Sequence, residues 1–201
     1  WVGSGRTCVF PVTSLLAGAL ALAVPLIFGA MSGLVCERSG IINIAIEGQL
    51  LFGAFAAAVL ASLVASPYLG LVAAPVAGAL VGAVLAWFAV RYQVNQIIVG
   101  VVLNTLIIGL TGFFCSTVLS ADRQTWNSRQ PLGTIDIPLL SQIPVLGPVL
   151  FRQTILVYIM YAVVIVLQIM LFRSRWGLRT RAVGEHPKAA DTVGIKVDPR
   201  R

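Results

Sequence analysis

The sequence predicts an all-α protein, a polytopic bundle of about five transmembrane helices. Of its 201 residues, 58% are hydrophobic and only 10% are charged, and the mean hydropathy is +0.95. Soluble domains carry about 25% charged residues, so lipid is the expected solvent for most of this chain. The apolar residues fall into runs close to the ~20 residues that cross a bilayer as a helix. These runs do not alternate polar and apolar side chains, as the strands of a membrane β-barrel would.

Short polar joints separate the apolar runs, with one exception. We predict membrane segments at Val12–Val35, Ile41–Val64, Leu69–Val90, Ile97–Leu119 and Ile155–Phe172. The first run differs from a signal peptide because it lacks an A-x-A cleavage pattern and further spans follow. The exception is residues 120–153, where four prolines exclude a regular helix. We expect an ordered or partly ordered external loop there.

A cluster of polar residues within Glu37–Gln49 interrupts the apolar pattern, from the end of the first segment into the start of the second. Polar groups at membrane depth are costly and usually face a cavity or the bundle interior. The cluster is either an interfacial turn or a broken, re-entrant element that forms part of a solute pathway. The two interpretations are evenly matched for Asn43 and Glu47, whereas an interfacial position is favoured for Glu37 and Arg38.

The third and fourth segments carry small residues at helical spacing, which allow helix backbones to approach closely in lipid. We expect these stripes to pack inside the bundle, together with Gly29 and Gly33 of the first segment. Asn104 and Thr105 lie near the middle of the fourth segment. Asn104 either contacts a polar solute or bridges two helices, and bridging is the commoner role. The two stripes are Ala74, Gly78, Gly82 and Ala86, and Thr105, Gly109, Gly112 and Ser116.

The segment after the fifth span, residues 173–201, carries eight of the fourteen Lys and Arg residues. Basic flanks mark the cytoplasmic side of a membrane, so five spans place the N-terminus outside. Because this charge lies beside a span, it does not indicate nucleic-acid binding. Within the segment we predict a short helix at His186–Gly194. Pro187 suits its first turn, Gly194 suits its end, and His186 is a poor cap.

Catalytic and metal-binding patterns are absent from the sequence. Cys8, Cys36 and Cys115 have no paired spacing and are interpreted as packing residues. There is no GxxxxGK[ST] phosphate-binding motif, so any ATP hydrolysis that drives transport must occur on another chain. We therefore expect no cofactor, no metal and no catalytic residue on this chain.

Three stretches together identify a known family by resemblance. They are ERSGIINIAIEGQLLFGAF, VNQIIVGVVLNT and RTRAVGEHPKAADTVGI, in this order, and the loop sequence IDIPLLSQIPVLGPVLFRQ adds to them. The chain resembles the permease subunits of bacterial ABC importers in the branched-chain amino acid/ribose superfamily, and its simple-sugar and nucleoside branch most of all. The resemblance covers nearly the whole chain, which looks like the N-terminal portion of a longer family member.

The resemblance implies a multi-pass protein of the bacterial plasma (inner) membrane with several partners. These are a second permease subunit, identical or related, a pair of cytoplasmic ATP-binding subunits and an extracytoplasmic solute-binding protein. ATP would be used by the partner subunits. Residues 1–172 would form the transmembrane permease region, with the external loop at 120–153. Residues 173–201 would form a cytoplasmic segment of the same domain, which is incomplete.

The resemblance also suggests roles for individual residues. The segment Asn43–Gly48 corresponds to the polar segment of the family near the translocation path, and our predicted pathway residues are Asn43, Glu47, Asn104 and Thr105. The segment that docks on the ATP-binding subunit would be Gly184, Glu185, His186, Pro187, Lys188, Ala189, Ala190 and Asp191.

Two other functions stay open at this point. One is a branched-chain amino acid permease of the same architecture, since the solute cannot be identified from the sequence. The other is a stand-alone channel or membrane scaffold without an ATPase. The predicted cytoplasmic helix argues against this second alternative, because a channel needs no docking helix.

Overall fold

The computed structural model describes residues 9–118, 133–136 and 150–194. Five of the described helices are long and apolar enough to cross a membrane, which confirms the predicted all-α transmembrane fold. The elements, in chain order, are α1 (Val9–Arg38), α2 (Ile46–Val64), α3 (Pro67–Ala86), α4 (Gln96–Val118), β1 (Thr134–Asp136), β2 (Arg152–Thr154), α5 (Ile155–Arg173), α6 (Arg175–Glu185) and α7 (Pro187–Thr192).

The chain divides into two compact units, and both α1 and α5 contribute to each of them. The described residues of Trp1–Phe28 and Leu132–Leu167 form unit 1, and those of Gly29–Pro131 and Gln168–Arg201 form unit 2. The core of unit 1 is built from Val24, Val157 and Met160. Unit 1 also contains β1 and β2, which pair antiparallel.

Part of the predicted external loop therefore forms a short strand pair, which the sequence did not predict. Ile135 of β1 lies opposite Gln153 of β2. Each strand has three residues, too few for an alternating pattern to stand out from the surrounding sequence. The remainder of the predicted loop, residues 120–132 and 137–149, lies outside the described residues.

Small residues allow α2 and α3 to pack closely in unit 2, as the sequence predicted for the third segment. A Cβ atom on Gly53 would lie 3.0 Å from the carbonyl oxygen of Ala74, and one on Gly78 would lie 3.5 Å from that of Gln49. Such close approach maximises van der Waals contact between helices in lipid, where burial from water supplies no driving force. Gly29 of α1 makes a similar approach to Ile46.

The prediction of internal packing is wrong for the stripe on α4. A Cβ atom on Gly109 or on Gly112 would meet no atom within 4 Å among the described residues. The neighbouring side chains Leu106, Ile108 and Phe113 are exposed. The sequence pattern shows that the stripe exists, but it does not show which face of α4 turns toward α2 and α3.

The helices also differ from the prediction in two respects. The second span begins at Ile46 and not at Ile41, because the chain from Ser39 to Ala45 is not helical. The segment after the fifth span contains a helix, α6, that the sequence analysis did not predict. At the C-terminal end of α3, a π-helical turn at Trp87–Arg91 carries the third span past its predicted end at Val90.

Candidate functional site

The candidate site is built around a break between α1 and α2, residues Ser39–Ala45, which we call the break. It follows the end of α1 at Arg38, where the Ser39 hydroxyl donates to the carbonyl oxygen of Cys36 at 2.7 Å. Gly40 has a φ of 82°, a left-handed conformation that glycine adopts without steric cost. The chain then runs without regular structure to Ala45, which is fully buried. Backbone outside a helix is tolerated at membrane depth only when protein or water surrounds it.

Asn43 stabilises the break from within. Its Oδ1 atom accepts a hydrogen bond from the backbone N–H of Ala45 at 3.1 Å. Its Nδ2 atom donates to Oε1 of Gln49, in the first turn of α2, at 3.2 Å. The side chain is half-buried. Asn43 therefore fixes the turn that leads into α2, and it also presents an amide at the wall of a cavity described below.

Asn104 of α4 bridges the break to α2. Its Oδ1 atom accepts from the backbone N–H of Gly48 at 2.8 Å, and its Nδ2 atom donates to the carbonyl oxygen of Ile44 at 2.9 Å. Gly48 and Ile44 are four residues apart, the separation of a donor and acceptor in an α-helix. The side-chain amide of Asn104 therefore takes the place of the backbone hydrogen bond that would join Gly48 to Ile44 if α2 began earlier. The structure shows the bridging role that the sequence analysis considered commoner.

Two further residues of α4 hold the break in place. Oε1 of Gln96 accepts from the backbone N–H of Ile42 at 2.7 Å. A Cβ atom on Gly100 would lie 3.0 Å from Cβ of Ile44, so the backbone of α4 runs directly against the break. The first half of α4 therefore supplies hydrogen-bond partners that an interrupted helix cannot supply to itself.

The other two predicted pathway residues lie apart from these contacts. Glu47 is exposed in the first turn of α2, where its charge is favourable near the positive end of the helix dipole. Thr105 is exposed on α4 and donates its hydroxyl to the carbonyl oxygen of Val101 at 3.0 Å. A solute-pathway role for these residues, and for Asn43 and Asn104, stays a prediction.

A cavity of about 380 Å³ lies in unit 2 beside the break. Asn43, a pathway residue predicted from the sequence, lines this cavity. Gln49, whose amide is hydrogen-bonded to that of Asn43, also lines it and was not predicted. Gln49 was visible as a polar residue in the same segment. Its role was missed because only the packing of α2 against α3 turns it toward the cavity. The cavity is lined by Ser32, Val35, Cys36, Ser39, Ile41, Asn43, Gln49, Gly78, Ala79, Gly82, Leu85, Ala86, Trp176 and Thr180.

The helix α6 packs directly on the end of α1 and the start of the break. Ser174 caps its first turn by accepting from the backbone N–H of Gly177 at 3.0 Å. At its other end, a Cβ atom on Gly184 would collide with the carbonyl oxygen of Arg38 and would lie 3.1 Å from the backbone nitrogen of Gly40. No side chain therefore separates the two backbones at this contact.

The short predicted helix is present as α7, which begins at Pro187 as expected. His186 forms no side-chain hydrogen bond to it, and Gly194 follows it with a φ of 83°. Ala189 and Ala190 do not share one open face, because Ala190 is buried and Ala189 is exposed. The outward side of α7 thus presents Lys188 and Ala189, with Asp191 and Thr192 beside them. The docking role of Gly184–Asp191 stays a prediction.

Comparison with known proteins gives a consistent result. The family described as "Branched-chain amino acid transport system / permease component" matches residues 15–201. The guanosine ABC transporter permease protein NupQ of Bacillus subtilis is 39% identical over 186 residues, covering 89% of this chain and 58% of that protein. The nucleoside ABC transporter permease protein NupC of Lactococcus lactis subsp. cremoris is 37% identical, covering 91% of this chain and 59% of that protein.

A third relative is named for glucose. The putative glucose ABC transporter permease protein TsgC13 of Haloferax volcanii is 32% identical, covering 91% of this chain and 55% of that protein. The chain thus spans less than three fifths of the length of these curated relatives. No solved structure matches it. With five membrane-spanning helices and a family match over nearly its whole length, the chain is a multi-pass membrane protein that belongs to the branched-chain amino acid transport system permease family.

Proposed function

We propose that the chain is a membrane-spanning permease subunit of an ATP-driven importer for nucleosides or simple sugars in a bacterial plasma membrane. The observation that carries this proposal is its 39% and 37% identity, over about nine tenths of the chain, to permeases named for guanosine and nucleosides. The relative named for glucose supports the sugar alternative. The chain itself carries out no chemical reaction, and it acts as a transport subunit.

The proposal includes the partners that such a subunit needs. A second permease subunit completes the pathway, and an extracytoplasmic binding protein delivers the solute. ATP is hydrolysed on cytoplasmic subunits that dock on Gly184–Asp191. Two features support docking there. The six-residue helix α7 is too short to be stable alone in water, and it presents the exposed Ala189, whose small side chain permits close approach. The chain binds no cofactor in this scheme.

Uptake measurements test the transport function. The gene is deleted from its host and restored, and uptake of labelled guanosine, glucose and leucine is measured. We expect deletion to abolish nucleoside or hexose uptake and restoration to recover it, while leucine uptake is unchanged. The family description names branched-chain amino acids, so the opposite result would replace this proposal with an amino acid permease.

A substitution in α7 tests the docking role. Ala189→Arg places a long charged side chain on the exposed side of α7. We expect it to reduce copurification of the ATP-binding subunit and solute-stimulated ATP hydrolysis at least tenfold, without changing the amount of protein in the membrane. Ala182→Arg is the matched control, because Ala182 is equally exposed but lies on α6. Normal copurification and hydrolysis for Ala189→Arg would remove the docking role.

A further inference from the structure

The cavity beside the break has the size of a small-molecule site. Its volume is about 380 Å³, within the range of roughly 300–1,000 Å³ that is usual for ligand pockets. All of its lining residues belong to unit 2. One copy of the chain therefore supplies all of these lining residues.

One wall of the cavity is polar and is held in a fixed geometry. The Nδ2 atom of Asn43 donates a hydrogen bond to Oε1 of Gln49, so this oxygen already has a partner within the protein. The Nε2 atom of Gln49 lies 3.3 Å from the position that a Cβ atom of Gly82 would occupy. Both residues line the cavity, and this amide nitrogen can donate two hydrogen bonds. Three hydroxyl-bearing residues, Ser32, Ser39 and Thr180, add to the polar part of the lining.

Another wall of the cavity carries an aromatic ring. Trp176 of α6 lines the cavity and is 42% exposed, so part of its indole is open to contact. On the α3 side the lining consists mostly of small residues, Gly78, Ala79, Gly82 and Ala86, and Leu85 is the one bulky side chain there. A flat ring can stack on an indole face, as nucleic-acid bases do on aromatic side chains. The lining therefore suits a compact ring compound with hydrogen-bonding groups.

The lining carries no formal charge among the described residues. A carboxylate, ammonium or phosphate inside such a cavity would lose its hydration without gaining an ionic partner, which is strongly unfavourable. Amide and hydroxyl groups can instead replace the hydrogen bonds that a neutral polar solute makes to water. The cavity therefore selects against amino acids and nucleotides and accepts uncharged polar molecules.

We infer that this cavity binds one uncharged, hydrogen-bonding ring compound of nucleoside or hexose size. The inference rests on the proposed function for the class of solute, and it extends that function by placing a solute-binding site within a single permease subunit. In this site Gln49 and Asn43 bind the polar edge of the ring, and Trp176 stacks on its face. Exclusion of charged molecules then distinguishes the site from one for branched-chain amino acids.

Equilibrium binding to the purified full-length protein tests this inference. Labelled guanosine, adenosine and glucose are the probes, and unlabelled leucine and guanosine monophosphate are the competitors. We expect one of the three probes to bind with a stoichiometry of one per chain and neither charged molecule to compete. Gln49→Leu and Trp176→Ala should each weaken binding about tenfold or more, whereas Trp176→Phe should retain most of it.

Trp87→Ala serves as the matched control, because Trp87 is exposed but does not line the cavity. It should bind the probe as the unaltered protein does. Thermal unfolding of each variant shows that it is folded, and if Trp176→Ala is unstable, Gln49→Leu and Trp176→Phe still decide the question. Unchanged binding in Gln49→Leu and folded Trp176→Ala, or competition by leucine, would overturn the inference.

Comparison with uptake separates this inference from the proposed function. If deletion of the gene abolishes nucleoside or hexose uptake but the cavity variants bind normally, or the unaltered protein binds no probe, the site is wrong and the function stands. If nucleoside and hexose uptake survives deletion, the proposed function fails first, and the inference fails with it.

Discussion

At the residue scale, Asn104 illustrates what the sequence can and cannot reveal. Its position in the middle of an apolar run identified it as either a bridge or a solute contact. The choice depends on which backbone groups lie opposite it, and those belong to residues about sixty positions earlier in the chain. The sequence contains the polar side chain, but only the packing of α4 against the break gives it two partners.

Replacement of Asn104 should therefore destabilise the protein. Asn104→Leu removes both hydrogen bonds and leaves the N–H of Gly48 and the carbonyl of Ile44 without this partner. Hydrogen bonds between membrane helices contribute about 0.6 kcal/mol on average and up to about 1.7, so we expect a loss of about 1–3 kcal/mol. Unfolding in detergent, followed by circular dichroism, measures the loss.

Thr105→Val is the matched control at the neighbouring position. Its hydroxyl bonds only within α4 and is exposed, so the free energy of unfolding should change by less than about 0.5 kcal/mol. Equal stability of Asn104→Leu and the unaltered protein would contradict the bridging role. A selective loss of solute uptake in Thr105→Val, at normal abundance, would instead support its predicted place in the pathway.

At the scale of elements, hydropathy predicted the spans well and their boundaries less well. Lipid requires long apolar helices, so the five spans stand out in the sequence. The start of α2 was placed too early because Ile41, Ile42 and Ile44 are apolar although they are not helical. Helix α6 was missed because it is rich in arginine, and its buried residues Gly177, Thr180 and Val183 are small or moderately polar. Its cap, Ser174, was the available signal.

The backbone contact between α6 and the end of α1 should not tolerate a side chain. In Gly184→Ala the new Cβ atom would collide with the carbonyl oxygen of Arg38, so α6 must move away from the break. We expect uptake to fall at least fivefold and the unfolding temperature to decrease. Transport assays and thermal unfolding measure both effects.

Gly112→Ala provides the same substitution without the collision, because a Cβ atom at Gly112 meets no atom of the described residues within 4 Å. Alanine favours a helix over glycine by roughly 1 kcal/mol, so this variant should be at least as stable as the unaltered protein. If Gly184→Ala behaved like Gly112→Ala in both assays, the close contact would have no role in folding or transport.

Loss of its cap should loosen α6 without unfolding the spans. Ser174→Ala removes the bond to the N–H of Gly177, and such a loss typically costs about 1 kcal/mol. Hydrogen exchange, followed by mass spectrometry, should become roughly fivefold faster in peptides that cover α6. Thr192→Ala removes a hydroxyl that bonds within α7 and should leave exchange in α6 unchanged. Uniformly faster exchange across the spans would point to global destabilisation.

At the scale of the whole molecule, the contacts within unit 2 are consistent with the membrane topology that the distribution of charge predicts. The break contacts Gln96 at the start of α4, and Gly184 of α6 contacts the end of α1. The basic segment after the fifth span predicts that this end is cytoplasmic. The cavity, in contrast, could not be predicted from the sequence, because the residues that line it come from four separate helices and the break.

Two exposed tyrosines provide a matched test of this topology. Tyr92 precedes α4 and is 62% exposed, and Tyr68 lies near the start of α3 and is 61% exposed. With the native cysteines replaced by alanine, Tyr92→Cys should be labelled only from the cytoplasmic side and Tyr68→Cys only from the outside. A membrane-impermeant maleimide, added to intact cells and to inverted vesicles, measures the side. Labelling of Tyr92→Cys from outside would reverse the predicted orientation.

The interrupted helix also has a consequence for the order of events during synthesis. The side chain that completes the ladder at Gly48 follows it by 56 residues, and the acceptor for Ile42 follows by 54. At roughly 5–20 residues per second, a nascent chain spends roughly 3–11 s with these backbone groups waiting for a partner. During that interval we expect the break to lack the two hydrogen bonds that Gln96 and Asn104 supply. The break and the start of α2 therefore reach their final structure only after α4 has left the ribosome and entered the membrane.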